Sequence, residues 1–125
     1  MKYLGIDHGD KRIGLAMGDD ETFIASPLEI VEAAGNEIEE ICLLLREEAI
    51  EGIVLGLPVS LRGEENDQAN KARKFGLALE KESGIKVIYE DERLTSRAAE
   101  SLLHEALPER KDAVAAMVIL QGYLD

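Results

Sequence analysis

The sequence predicts an α/β fold in which a mixed five-stranded sheet carries helices on both of its faces. The chain opens with short apolar runs separated by turn clusters, a pattern typical of an antiparallel meander. Segments of helical periodicity then alternate with two further apolar runs, which indicates parallel strands joined by helical crossovers. The predicted order of elements is therefore β-β-β-α-β-α-β-α-α.

The meander is predicted at residues 2–7, 12–17 and 22–28, with the turn sequences HGDK and GDDE between its strands. A helix begins at Asn36 and ends at Gly52. Its apolar stripe is Ile38, Ile41, Cys42, Leu45 and Ala49. Residues 53–55 then form a short strand whose continuous apolar character is typical of burial on both faces.

The second half of the chain continues the alternation. A helix is predicted from about residue 65 to residue 83, because Gly84 is a natural helix stop, and a strand at 86–89 follows it. Thr95 is suited to capping the next helix, whose inward face is predicted to be Ala98, Ala99, Leu102 and Leu103. The last helix runs from Glu109, just after Pro108, to about residue 123.

Length and composition exclude several classes of protein. A chain of 125 residues corresponds to a single domain, and its longest apolar run of eight residues (113–120) is too short for a membrane helix. We expect a cytoplasmic protein that does not associate with membranes, because Lys2 is not followed by a hydrophobic segment that ends in a signal cleavage site. The net charge of −12 opposes long-range attraction to nucleic acid, so binding to it requires a local basic patch.

Acidic residues lie where ligands bind in sheets of this kind, beyond the carboxyl ends of the strands. Asp7 ends the first strand, Asp91 and Glu92 end the last strand, and Asp112 lies in the first turn of the final helix. Clustered carboxylates tolerate one another when a divalent cation lies between them. Because no His or Cys pair has coordinating spacing, we expect Mg²⁺ or Mn²⁺, with two ions supporting phosphodiester hydrolysis.

Each acidic residue also has a structural interpretation. Asp7 could make a turn, Asp112 could stabilise a helix terminus, and Asp91 and Glu92 could be solvated charges. His8 should point away from Asp7, because successive strand residues face opposite sides of the sheet. Basic residues near the acids are candidates for contacting substrate phosphates, and they are Lys11, Arg12, Arg62, Arg93 and Arg97.

Four ordered segments carry a specific resemblance. The segments are GIDHGDKRIGLA at 5–16, IVLGLPVSLRGEENDQANKARKF at 53–75, DERLTSRAAE at 91–100 and KDAVAAMVILQGYLD at 111–125. Together they resemble the bacterial YqgF/RuvX family of pre-16S rRNA nucleases and Holliday junction resolvases. The resemblance implies an RNase H-like fold, two-metal phosphodiester hydrolysis and action on ribosomal RNA 5′ ends in the cytoplasm.

The resemblance also implies roles for individual residues. It makes Asp7, Glu92 and Asp112 the catalytic metal ligands, with Asp91 as a possible sharer of the Glu92 role. It suggests that Lys11 and Arg12 contact substrate and that Arg93 holds Glu92 or a phosphate. RNase H-like nucleases commonly place an acid at the end of the fourth strand, where this chain has Gly56, Leu57 and Pro58.

Other functions compete with an RNA endonuclease. A four-way DNA junction resolvase would use the same chemistry, and it should act as a twofold dimer, whereas the RNA enzyme could be a monomer or a homodimer. A nucleotide-binding relative of the actin-like ATPases would need a second domain. A non-catalytic RNA-binding assembly factor would keep the fold without using a metal.

Overall fold

The computed structural model describes residues 1–58, 66–92 and 97–125. Its strands are β1 (Lys2–His8), β2 (Arg12–Asp19), β3 (Ile24–Glu32), β4 (Gly52–Leu57) and β5 (Val87–Asp91). Its helices are α1 (Glu37–Glu47), α2 (Asp67–Ser83), α3 (Arg97–Glu105) and α4 (Lys111–Leu124), and a 3₁₀ turn (Pro108–Arg110) precedes α4. The predicted order of elements is confirmed.

The five strands form one mixed sheet in the order β3-β2-β1-β4-β5. β1, β2 and β3 pair in antiparallel fashion, and β4 and β5 continue the sheet parallel to β1. This is the predicted combination of a three-stranded meander with two parallel strands. The carboxyl ends of β1, β4 and β5 consequently lie along the same edge of the sheet, where functional side chains from distant segments can meet.

Helices cover both faces of the sheet, as the sequence predicts. On one face, α1 and α2 bury the larger apolar core, to which β1 and β4 contribute alternate residues such as Leu4, Ile6 and Leu55. On the opposite face, α4 covers a smaller core that includes Val54 and Leu120. None of the helices in the described part of the chain is both long enough and apolar enough to cross a membrane.

The sheet surface beneath α4 is formed partly by glycine. A Cβ atom on Gly5 would lie 2.6 Å from the Cβ of Leu120, and one on Gly14 would overlap the backbone carbonyl of Asp112. The helix therefore approaches the strand backbones more closely than any larger residue would permit. This close approach holds the first turn of α4 directly against the start of β2.

The ends of β3 and α1 differ from the sequence prediction. β3 continues to Glu32, beyond the predicted end at residue 28, because its pairing with β2 extends to Arg12. Ala49 is not part of the helical stripe, since α1 ends at Glu47 and Ala49 is exposed with a φ of 53°. The chain reverses there to enter β4, and Ile50 is buried instead.

The predicted inward face of α3 is also wrong. No residue of α3 is buried; Ala98 and Leu102 are exposed, and Ala99 and Leu103 are only half-buried. The helix packs mainly along α4 and does not lie on the sheet, so its apolar side has no extended surface to cover. Thr95, the predicted cap of this helix, lies outside the described residues.

Candidate active site

The three acidic residues singled out by the sequence come from three separate elements. Asp7 is the penultimate residue of β1, Glu92 directly follows β5, and Asp112 is the second residue of α4. β1 and β5 are not neighbours in the sheet, because β4 lies between them. The side chains must therefore reach across the end of β4 to meet.

Gly56 of β4 makes this meeting possible. A Cβ atom on Gly56 would lie 3.1 Å from Cγ and from Cδ of Glu92, so the Glu92 side chain extends directly over this glycine. Its carboxyl group forms a hydrogen bond with Asp7 on the far side. The end of β4, where RNase H-like nucleases commonly carry an acid, is thus covered here by the carboxylate of Glu92, the residue that follows β5.

The Asp7 and Glu92 carboxyl groups ionise with difficulty. The pKa of Asp7 is raised to about 6, chiefly by burial and also by the negative charge of Asp112, while the hydrogen bond with Glu92 acts in the opposite direction. The pKa of Glu92 is raised to about 7, chiefly by burial and also by the charge of Asp7 and the shared hydrogen bond. Glu92 is therefore the proton donor in this bond, and the pair holds a proton near neutral pH.

Asp112 lies close enough for its charge to act on Asp7, but its carboxylate is engaged elsewhere. The Nε of Arg12 donates a hydrogen bond to Oδ2 of Asp112 at 2.9 Å. Among the residues that the structure describes, no three acidic, histidine or cysteine side chains form a group that could hold a metal ion. The structure thus brings Asp7 and Glu92 into contact and places Asp112 beside them, paired with an arginine.

Asp91 occupies a different position from its neighbour. It pairs in register with Leu57, and it shares its strand face with Tyr89, which packs against α2. Alternation along the strand directs the side chain of Asp91 away from α4 and therefore away from Asp7. Of the two acids at the end of β5, the structure favours Glu92 as the partner of Asp7.

His8 points away from the acids, as strand alternation predicts. Its ring stacks on Phe75 of α2, with 4.5 Å between the ring centroids. Burial lowers the pKa of His8, and its Nδ1 atom is buried without a hydrogen-bond partner in the described part of the chain. The neutral ring is thus part of the contact between β1 and α2, on the face of the sheet opposite the acidic residues.

The structure describes three of the five basic residues predicted to bind substrate. Lys11 is exposed in the turn between β1 and β2, and Arg97 is exposed at the start of α3. Of the basic candidates in the described part of the chain, Arg12 is the one recorded in a direct contact with an acid of the site. Arg62 and Arg93 lie outside the described residues.

The sequence did not reveal how the turn beside the site is anchored. Asp10 accepts hydrogen bonds from Gln68 and from Lys71 of α2, each at 3.2 Å. These bonds connect the turn that follows Asp7 to the start of α2, about sixty residues later. The signal was weak because a lysine on a helix surface commonly pairs with an acid on the same helix.

Comparison with known proteins identifies the family. A model of the RuvX family, described as a Holliday junction resolvase, matches residues 1–125. The chain belongs to the RuvX family. A protein of Dictyoglomus thermophilum named "Putative pre-16S rRNA nuclease" is 40% identical, over 100% of this chain and 96% of that protein. One of the same name from an Anaeromyxobacter strain is 43% identical, over 100% and 97%.

Solved structures confirm the RNase H-like fold class. RuvC of T. thermophilus in complex with a Holliday junction has a TM-score of 0.66 at 19% identity, covering 99% of this chain and 93% of RuvC. The Fowlpox virus resolvase in complex with Holliday junction DNA has a TM-score of 0.63 at 12% identity, covering 99% and 97%. The RuvX family match and the nuclease-named relatives support a hydrolytic nuclease.

Proposed function

We propose that this RuvX family member is a divalent-metal-dependent endonuclease that hydrolyses phosphodiester bonds of pre-16S rRNA in the cytoplasm, during maturation of its 5′ end. The observation that carries the proposal is the contact between Asp7 and Glu92 across Gly56. Two carboxylates this close together in a water-poor site repel each other once both are ionised, so they retain a proton between them. A cation that replaces this proton would remove the repulsion.

The carboxylate donors of the site suit Mg²⁺ or Mn²⁺, but among the described residues Asp7 and Glu92 are in contact with each other while Asp112 is paired with Arg12, so the three do not form one group. Both metals are hard ions that prefer oxygen ligands, and Mg²⁺ is commonly held by one or two carboxylates together with substrate phosphates. Asp7 and Glu92 would hold the first ion, and Asp112 would complete the site for a second. When bound, the ions would supply an activated water and stabilise the leaving oxygen.

The remaining residues of the proposal act on the substrate. Lys11, Arg12 and Arg97 would contact phosphates of the RNA, as would Arg62 and Arg93 in the segments that are not described. The RNA substrate is proposed from the names of the RuvX relatives in Dictyoglomus and Anaeromyxobacter.

A cleavage assay tests this function. The purified chain is incubated with a 5′-extended fragment of 16S rRNA in Mg²⁺, in Mn²⁺ or in EDTA. We expect cleavage that requires the metal and that Asp7→Asn abolishes, while the exposed-strand control Glu29→Gln cleaves normally. Cleavage that persists in EDTA or in Asp7→Asn would overturn the proposal. RNA binding without cleavage in any cation would instead identify a non-catalytic assembly factor.

A Holliday junction resolvase is the second candidate, favoured by the similarity in fold to RuvC bound to a junction. Such an enzyme must cut two strands symmetrically, which requires a twofold dimer with two active sites. A synthetic four-way junction distinguishes the two functions. Paired symmetric incisions, together with a dimeric mass at the assay concentration, would favour the resolvase over the rRNA nuclease.

A further inference from the structure

The ion pair between Arg12 and Asp112 joins two residues that the proposed function assigns to different tasks. Asp112 is a proposed metal ligand, and Arg12 is a proposed phosphate contact, yet they bond to each other at 2.9 Å. They lie 100 residues apart in the chain. A role for this pair must therefore explain why the fold brings them together.

The meeting is built into the packing of α4. Arg12 and Gly14 lie two residues apart on β2, and they consequently share the face of the sheet that α4 covers. Gly14 lies against the backbone of Asp112, so the backbone of Arg12, two residues away on the same face, is already close to the Asp112 side chain. The contact follows from the backbone arrangement and does not depend on an unusual side-chain path.

The pair is also suited to breaking. The side chain of Arg12 is 62% exposed and that of Asp112 is 32% exposed, and a single guanidinium nitrogen, Nε, joins the two described side chains. An exposed, single-bonded pair of this kind adds little to stability. A divalent cation attracted by Asp7 and Glu92 as well as Asp112 can therefore displace it.

We propose that Arg12 is a counter-ion that pairs with Asp112 until a divalent cation binds there. The guanidinium of Arg12 would then be free to contact a phosphate of the bound nucleic acid. This inference rests on the proposed metal-dependent function. It gives one residue two partners in succession and couples loading of the metal to gripping of the substrate.

Metal affinity measured by calorimetry tests the first half. Because Arg12 competes for Asp112, we expect Arg12→Gln to bind Mn²⁺ more tightly than the unmodified chain, by up to about fivefold. The matched control is Arg110→Gln, which removes the same charge two residues before Asp112, at an arginine that forms no ion pair with the residues that the structure describes. An equal gain in both variants, or no gain in Arg12→Gln, would overturn the proposal.

Nuclear magnetic resonance gives a direct view of the release. The Nε–Hε signal of Arg12, assigned by its loss in Arg12→Gln, should shift when Mg²⁺ is added, whereas the corresponding signal of Arg110 should not. An Arg12 signal that remains in place while Mg²⁺ binds would contradict displacement.

The second half is tested by the salt dependence of binding to a labelled 20-base-pair RNA duplex. With Ca²⁺ filling the site, Arg12→Gln should lower the slope of log affinity against log salt by about one, and in EDTA it should leave the slope unchanged. A change of slope in both conditions would overturn the release step. If Mn²⁺ does not bind the unmodified chain, or binds Asp7→Asn equally well, the proposed metal site itself fails and the inference fails with it.

Discussion

The fold holds Asp7 and Glu92 where ionisation is unfavourable, so ionising them costs more free energy in the folded chain than in the unfolded chain. Their carboxyl groups have pKa values of about 6 and about 7 in the fold, against ordinary values of 3.8 and 4.5. Between about pH 4 and pH 7 the folded chain therefore binds more protons than the unfolded chain. The contribution of this pair to stability is present at low pH and is lost as the pH rises through that window.

We accordingly expect Asp7→Asn to stabilise the metal-free chain, and to do so increasingly as the pH rises. The difference in the free energy of unfolding should grow from near zero at pH 4 to about 1–3 kcal/mol at pH 7.5, because the variant carries no charge to bury. Urea unfolding in EDTA measures it at each pH. The control Glu29→Gln should show no such trend. If the free energy of unfolding depended on pH in the same way in Asp7→Asn and in the unmodified chain, the expectation would be contradicted.

The choice between the two acids at the end of β5 is also a question at the scale of residues. Glu92 crosses Gly56 to reach Asp7, whereas Asp91 faces the opposite side of the sheet. Glu92→Gln should reduce the rate of RNA cleavage at least about 100-fold, since a lost metal ligand removes several kcal/mol of transition-state stabilisation. Asp91→Asn should lose less than about tenfold. Comparable losses in the two variants would show that both acids serve the site.

At the scale of elements, the position of α4 determines whether a site can exist at all. The helix supplies Asp112, and it approaches β2 so closely that the backbone of Asp112 touches Gly14. At Gly56, the Cβ of a larger residue would lie 2.5 Å from Ile119 of α4 as well as obstruct Glu92. The glycines thus serve packing and the site together.

Two glycine-to-alanine substitutions test whether the close approach of α4 to β2 requires glycine. Gly14→Ala should destabilise the chain by about 3 kcal/mol, because the new methyl group overlaps backbone that cannot move without shifting α4. Gly122→Ala, on the exposed side of α4 with its nearest atom at 3.7 Å, should instead stabilise it by about 0.5 kcal/mol through helix propensity. Thermal unfolding of both variants checks the pair, and a neutral Gly14→Ala would show that α4 has room to move.

For the molecule as a whole, the difficulty is that a chain of net charge −12 is proposed to bind a polyanion. The two ends of the sheet offer a resolution. Glu21, Glu47 and Glu51 are exposed, and each is, or directly adjoins, a residue that bonds to Met1 or Lys2 at the start of β1. Lys2 lies five residues and therefore about 17 Å from Asp7. Salt screens charges beyond about 8 Å at physiological ionic strength, so these distant acids act weakly on a substrate at the site.

Charge removal at the two ends should therefore have unequal effects. Replacing Glu21, Glu47 and Glu51 together by glutamine should change RNA affinity less than about twofold at 0.15 M salt. The single change Lys11→Gln, beside Asp7, should weaken binding and lower the salt slope by about one. Fluorescence anisotropy over a range of salt concentrations measures both. If RNA affinity rose more in the triple variant than it fell in Lys11→Gln, total charge would govern binding.

The sequence by itself determined the elements and their order, because the periods of strands and helices are local properties of the chain. It also identified Asp7, Glu92 and Asp112 as acids placed after strands or in the first turn of a helix. It erred on α3, since whether Leu102 is buried depends on what lies opposite it, and no local pattern carries that information.

Only the tertiary structure decided which of these side chains meet. The reach of Glu92 across Gly56, and the bond from Arg12 to Asp112, depend on how closely β4, β5 and α4 approach one another. The physical reason is that the contact of two side chains and the water that they lose are set by backbones far apart in the chain. A residue's own neighbours in the sequence determine its local conformation, but they do not determine its partner.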